Sequence, residues 1–162
     1  MYLFDADTFI SASRLHYSFD LAPGFWKWLA SEAIREQVAS IEAVRDEITA
    51  GTGPLVDWAE TLLPDDFWLS HTSGSLSCGS ALAEWAMHPD RIYTQAARDE
   101  FLGKADYHLI AQAKSGGHTV VTMEKAEPKA KKKVKIPDAC HAFEVACMQP
   151  FEVYRKLGMS LG

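Results

Sequence analysis

The sequence predicts an α/β domain built on a parallel sheet, and three observations carry that prediction. The chain opens on a strand-like run, Met1 to Ile10, that is apolar except for Asp5 and Asp7. Its middle is filled by apolar residues at helical spacing. Beyond that, a helix stop at Ser115-Gly116-Gly117 passes directly into the β-branched run His118-Thr119-Val120-Val121-Thr122-Met123, the helix-to-strand step from which parallel sheets are built. A length of 162 residues suits one domain, 1–162, with enough chain to bury a sizeable core.

After the first strand, Ser11 to Pro23 reads as a short turn or helix and a loop. Phe25, Trp26, Leu29, Ala33 and Ile34 then recur on one helical face. Gln37-Val38-Ala39-Ser40 is a second short strand, and Ile41, Val44 and Ile48 share the face of a helix closed by Gly51. Pro54 suits a first helical position, and Pro64 stops that helix. Asp65 to Leu69 is a further short strand, and His71 to Ser75 is loop chemistry. Leu76, Leu82, Trp85 and Ala86 mark one helix, and Ile92 to Leu102 another. Lys104-Ala105-Asp106 starts the helix that Ser115-Gly116-Gly117 ends. Lys125 to Lys135 is a basic loop, Val134-Lys135-Ile136 reads as a short strand, Asp138 caps a helix through Cys147, and Pro150 to Leu157 forms the last helix. No internal repeat is visible.

Composition limits the function. Apolar residues make up 48% and charged residues 23%, which excludes a disordered chain. A formal net charge of −6 does not advertise nucleic-acid binding, so such binding has to rest on a local patch or on a metal. Three cysteines without framework spacing, and an N-terminus without a secretory leader pattern, fit a cytoplasmic protein. No apolar run approaches the roughly 18 residues of a membrane span.

The chemistry lies in acids. Burying a carboxylate without a partner costs several kcal/mol, so acids beside a core strand imply a cation that offsets the desolvation. In an open parallel sheet, ligands bind outside the carboxyl ends of the strands. Asp5 or Asp7 and Glu124 fall at such ends, Asp106 lies in the first turn of the helix leading to the Glu124 strand, and Glu47 follows the second strand. Together they suit Mg2+ or Mn2+, which take oxygen ligands, keep waters and bind substrate phosphate. Two such ions about 3.5–4 Å apart activate a water and stabilise the leaving oxygen of a phosphodiester.

Four segments, Leu3-Phe4-Asp5-Ala6-Asp7-Thr8-Phe9-Ile10, Val44-Arg45-Asp46-Glu47-Ile48, Ala105-Asp106-Tyr107-His108-Leu109-Ile110-Ala111 and Val120-Val121-Thr122-Met123-Glu124, resemble in order the four acidic blocks of PIN-domain nucleases, over nearly the whole chain. Phe25-Trp26 and Ile136-Pro137-Asp138-Ala139-Cys140 make it look closest to an uncharacterised bacterial PIN-like subgroup. The resemblance implies a three-layer α/β/α sandwich with a central, mainly parallel sheet. It also implies a Mg2+- or Mn2+-dependent ribonuclease of the VapC toxin type, a homodimer and a cognate antitoxin. It carries Asp5, Glu47, Asp106 and Glu124 over as metal ligands and catalytic residues. Most PIN domains have Asp at the last of these positions, so Glu124 departs from the pattern and sets its carboxylate one methylene further out.

Around these residues, Asp7 and Thr8 are supporting groups: Asp7 shares the strand face of Asp5 if the strand continues, and Thr8 orients a ligand or caps the next helix. Asp138 either supplements Glu124 or caps its helix, and Asp46 points about 100° away from Glu47. Lys131, Lys132 and Lys133 lie in the basic loop beside Glu124, where they either contact RNA phosphates or form a solvated loop. Arg14 and Arg45 are further phosphate candidates or surface pairs. Cys140, His141 and Cys147 lack zinc spacing.

Each acid also has an ordinary role, as a bonded structural acid, a helix-start acid or a solvated strand end. Two other functions fit the opening segment. One is a haloacid-dehalogenase-type phosphatase with Asp5 as nucleophile, although Thr8 follows Asp7 without the spacer expected there. The other is a non-catalytic PIN-like module that binds RNA or protein.

Overall fold

The computed structural model describes residues 1–161. It is a three-layer α/β/α sandwich around a five-stranded, all-parallel sheet. The strands are β1 (Tyr2–Phe4), β2 (Val38–Ile41), β3 (Trp68–Leu69), β4 (Thr119–Val121) and β5 (Cys147–Met148), in the order β3-β2-β1-β4-β5. β1 is central: Leu3 registers with Ala39 of β2 on one side and Val120 of β4 on the other. Covered on both faces, the strands are short apolar runs rather than alternating ones. All of β2 is buried, and its polar Ser40 donates its hydroxyl to the Phe4 carbonyl at 2.7 Å.

The helices are α1 (Ala6–Ser11), α2 (Pro23–Ile34), α3 (Glu42–Thr49), α4 (Pro54–Thr61), α5 (Ser73–Met87), α6 (Gln95–Leu102), α7 (Ala105–Gly116), α8 (Ile136–Ala142) and α9 (Pro150–Lys156). α7 packs on β2 and β4 and against α3, α5 and α8, so the Asp106 helix is tied to most of the fold. Gly117, at φ 68°, ends α7 in the left-handed region that suits glycine and turns the chain into β4. The core is aromatic: Phe9 meets Trp58, Phe67 and Trp68, and Trp26 packs edge-on to Trp58.

Several sequence expectations are corrected. The first strand stops at Phe4, because the Asp5 carboxylate accepts the Thr8 N–H at 2.8 Å and turns the chain into α1. Asp7 therefore does not continue a strand face but lies exposed in the first turn of α1, and the cap of that helix is Asp5, not Thr8. Val134-Lys135-Ile136 is no strand: Ile136 opens α8 with Pro137 in its first turn. That helix ends at Ala142, and Cys147 belongs to β5. Of His71 to Ser75, only Ser73 to Ser75 leave the loop, opening α5 behind a capping box of Thr72 and Ser75. Ile34 and Leu76, placed on apolar faces, are 70% and 57% exposed. Among the described residues no helix is long and apolar enough to cross a membrane.

Candidate functional site

Where the connections of a parallel sheet reverse direction, the loops at the strand carboxyl ends part and leave a crevice. Here β1 connects outward to β2 and β3 on one side, and β4 to β5 on the other, so the reversal lies between β1 and β4. Asp5 directly follows β1 and Glu124 lies three residues past β4. The Asp5 N–H bonds the Val121 carbonyl at 3.1 Å, which fixes the two strand ends side by side.

Asp5 is 2% exposed. Burial pushes its carboxyl up to about 6, against the lowering effect of the Thr122 and Thr8 hydroxyls and the Thr8 N–H, while the charge of Asp7 raises it further. Thr122, itself 1% exposed, also accepts the Glu124 N–H at 3.1 Å through its hydroxyl and so links the first and last acids. Thr122 is not legible as a site residue from sequence, since a threonine ending a β-branched strand carries no signal of its own.

Asp106 stands in the first turn of α7, partly buried. Burial, then the charges of Asp5, Glu124 and Glu47 in that order, push it up to about 7, with Lys133 opposing. Among the described residues no hydrogen-bond donor is aimed at its carboxylate. Glu47, exposed near the end of α3, accepts the Ala105 N–H with Oε1 at 3.1 Å, one residue from Asp106. Glu124 accepts the Ile136 N–H with Oε2 at 2.7 Å, and its Oε1 pairs with Lys133 Nζ at 2.7 Å. The structure thus brings Asp5, Glu47, Asp106 and Glu124 into one electrostatic neighbourhood. It leaves Asp46 exposed in solvent.

Asp138 faces elsewhere: its Oδ2 accepts the Glu127 N–H at 2.8 Å and fastens the basic loop to α8. That loop is held again where the Lys131 carbonyl accepts the Thr94 N–H at 2.9 Å. Lys131 and Lys132 are exposed, whereas Lys133 turns inward to Glu124. A cleft of about 590 Å3 adjoins Glu47, with Ile10, Ser13, Arg14, Phe19 and Pro54 in its walls. Its basic group, Arg14, sits in a π-helical turn, Ala12–His16, whose widened backbone is closed by a bond from the Tyr17 N–H to the Ala12 carbonyl at 2.7 Å. Cys140 and Cys147 are free thiols in hydrogen-bond contact, which raises Cys140 and lowers Cys147.

Among the described residues no set of three or more His, Cys, Asp or Glu side chains is arranged to hold a metal ion as it stands. The donor chemistry nevertheless fits a hard divalent cation: every acid of the neighbourhood offers carboxylate oxygen, and Asp106 is a partly buried carboxylate without a donor among three like charges.

The model of the family described as a domain of unknown function (DUF4411) matches residues 2–161. No curated protein and no solved structure matches the chain.

Proposed function

We propose that this chain, which belongs to the DUF4411 family across residues 2–161, is a Mg2+- or Mn2+-dependent endoribonuclease whose site is formed by Asp5, Glu47, Asp106 and Glu124. The reading is supported by Asp106, a partly buried carboxylate raised by burial and by the charges of Asp5, Glu124 and Glu47, which come from three other chain segments. Ionising a half-buried carboxylate among like charges is unfavourable, and a bound cation offsets that cost. The resemblance of the four acidic segments to PIN nucleases supplies the reaction class.

A divalent ion at this site supplies Lewis-acid chemistry, lowering the pKa of water and neutralising charge on the phosphate. Asp5 and Asp106 hold that position from two rigid elements, the β1 end and the α7 start. Glu47 closes it from α3 while fixing the first N–H of α7. In the hydrolysis, the oxygen of water bonds to phosphorus, the bond from phosphorus to the leaving ribose oxygen breaks, one proton of that water goes to solvent, and the leaving oxygen takes a proton from solvent to become a hydroxyl. The cleft beside Glu47 gives the RNA backbone a path, with Arg14 available to a phosphate. The same resemblance adds an antitoxin protein and a second copy of the chain as partners, and the exposed Leu15 and Leu21 offer them apolar contacts.

The test is titration calorimetry with MnCl2 and cleavage of single-stranded RNA, each repeated with Asp106→Asn. Heat and cleavage in the wild type, lost in the variant, are the expected result. Neither heat nor cleavage in the wild type leaves the non-catalytic module, and an aspartyl-phosphate found at Asp5 by mass spectrometry leaves the phosphatase.

A further inference from the structure

Both oxygens of Glu124 are committed within the protein, Oε2 to the Ile136 N–H and Oε1 to Lys133 Nζ, each at 2.7 Å. The lysine is not a passing surface charge. Its loop is fastened on one side of it by the Thr94 to Lys131 backbone bond and on the other by the buried Val134 and Ile136. Besides Glu124, the ammonium feels the charges of Asp106 and Glu100. Each oxygen of Glu124 thus already holds a donor, so a second ion would have to displace Lys133 to reach it.

Resting on the metal-dependent reading above, we propose that Lys133, seated on Glu124, is the fixed second cation of this site, so that the centre takes one divalent ion, on the side of Asp5, Asp106 and Glu47. Glu124 is then the seat of the lysine and not a metal ligand. Nζ has three N–H donors and gives one to Glu124, leaving others for a phosphate oxygen. It meets the negative charge that builds on the phosphate during the displacement, as a second ion does in two-metal nucleases. The methylene by which Glu124 exceeds the usual aspartate extends its carboxylate toward both the Ile136 N–H and the lysine.

Calorimetric titration of the full chain with MnCl2 tests this, on the wild type and on Lys133→Met, Lys133→Arg, Glu124→Gln and Asp106→Asn, each first checked for folding by circular dichroism. One Mn2+ binds the wild type. Glu124→Gln retains that ion and Asp106→Asn loses it. Lys133→Met removes a neighbouring positive charge and frees Glu124, so it binds Mn2+ about tenfold more tightly or takes a second ion, while RNA cleavage falls. Lys133→Arg restores the wild-type stoichiometry. A merely structural lysine would weaken binding and cleavage together. Loss of Mn2+ in Glu124→Gln, two ions in the wild type, or unchanged binding in Lys133→Met overturns the assignment and leaves the metal site intact. No binding in any protein overturns the metal site and this inference with it. Should Lys133→Met fail to fold, the Glu124→Gln titration decides.

Discussion

Glu47 Oε1 accepts the N–H of Ala105, 58 residues further along the chain, at 3.1 Å, so an acid on α3 caps the helix that carries Asp106. The N-cap residue of that helix, Lys104, makes no side-chain cap of its own, and the contact supplies the missing acceptor. Structure and chemistry are separable here because glutamine keeps the acceptor and loses the charge. Glu47→Ala lowers stability by about 1 kcal/mol, and Glu47→Gln by less, as read by urea denaturation. Both variants weaken Mn2+ binding. If Glu47→Gln binds Mn2+ as the wild type does, Glu47 is a helix cap alone.

Asp106 and Asp5 give the metal-free protein a pH dependence of known sign. Both carboxyls are raised above their usual value near 3.8, Asp106 to about 7 and Asp5 to about 6. Between those limits these two groups hold more protons in the folded chain than in the unfolded one, so their contribution to stability is full below about pH 4 and is lost as pH rises through 6 to 7. Asp106→Asn removes its share of that fall and stabilises the metal-free protein above pH 7 by about 1–3 kcal/mol. Mn2+ stabilises the wild type in the same range, by about 2.7 kcal/mol at a hundredfold excess over Kd. Melting temperatures from pH 4 to 8, with EDTA or MnCl2, read both effects. A flat profile for the metal-free wild type would remove the case for carboxylate crowding.

The parts of this fold that the sequence revealed are those with local causes. Pro54 at the start of α4 and Gly117 after α7 are read from backbone restrictions, and β1 and β4 from β-branched or apolar runs bounded by acids. β5 escaped because two residues have no period. Val134-Lys135-Ile136 mimicked strand alternation although Pro137 makes Ile136 a helix start. At the site, the acids were legible because a charge beside a core strand is conspicuous. The Thr122 bridge and the Lys133 to Glu124 pair were not, since both depend on how a strand end and a loop fold over each other. By sequence Asp138 suits a helix cap or a supplement to Glu124; the backbone N–H it takes, that of Glu127 in the loop, depends on long-range geometry.

Arg14 separates substrate binding from metal binding. It lines the cleft beside Glu47 yet belongs to the π-helical turn rather than to the acid neighbourhood. Arg14→Ala therefore weakens binding of single-stranded RNA by roughly tenfold, the worth of one charge-assisted contact, and leaves Mn2+ affinity unchanged. Filter binding of RNA and calorimetry with MnCl2 check the two halves. Equal RNA affinity in the variant moves the RNA path away from this cleft.

The basic loop divides into two parts with different expected salt responses. Lys131 and Lys132 are exposed and have no acid paired to them among the described residues, while Lys133 is held by Glu124. Counterion release makes log affinity fall with log salt by about 0.7 for each phosphate contact to a single strand. If both exposed lysines reach the RNA, Lys131→Ala with Lys132→Ala weakens binding at low salt and flattens the slope by about 1.4. Lys133→Met changes the slope less than this pair, because its charge is already matched by a carboxylate before RNA arrives. Binding measured from 50 to 300 mM KCl distinguishes the two. An unchanged slope in the double variant makes Lys131 and Lys132 solvated charges with no part in recognition.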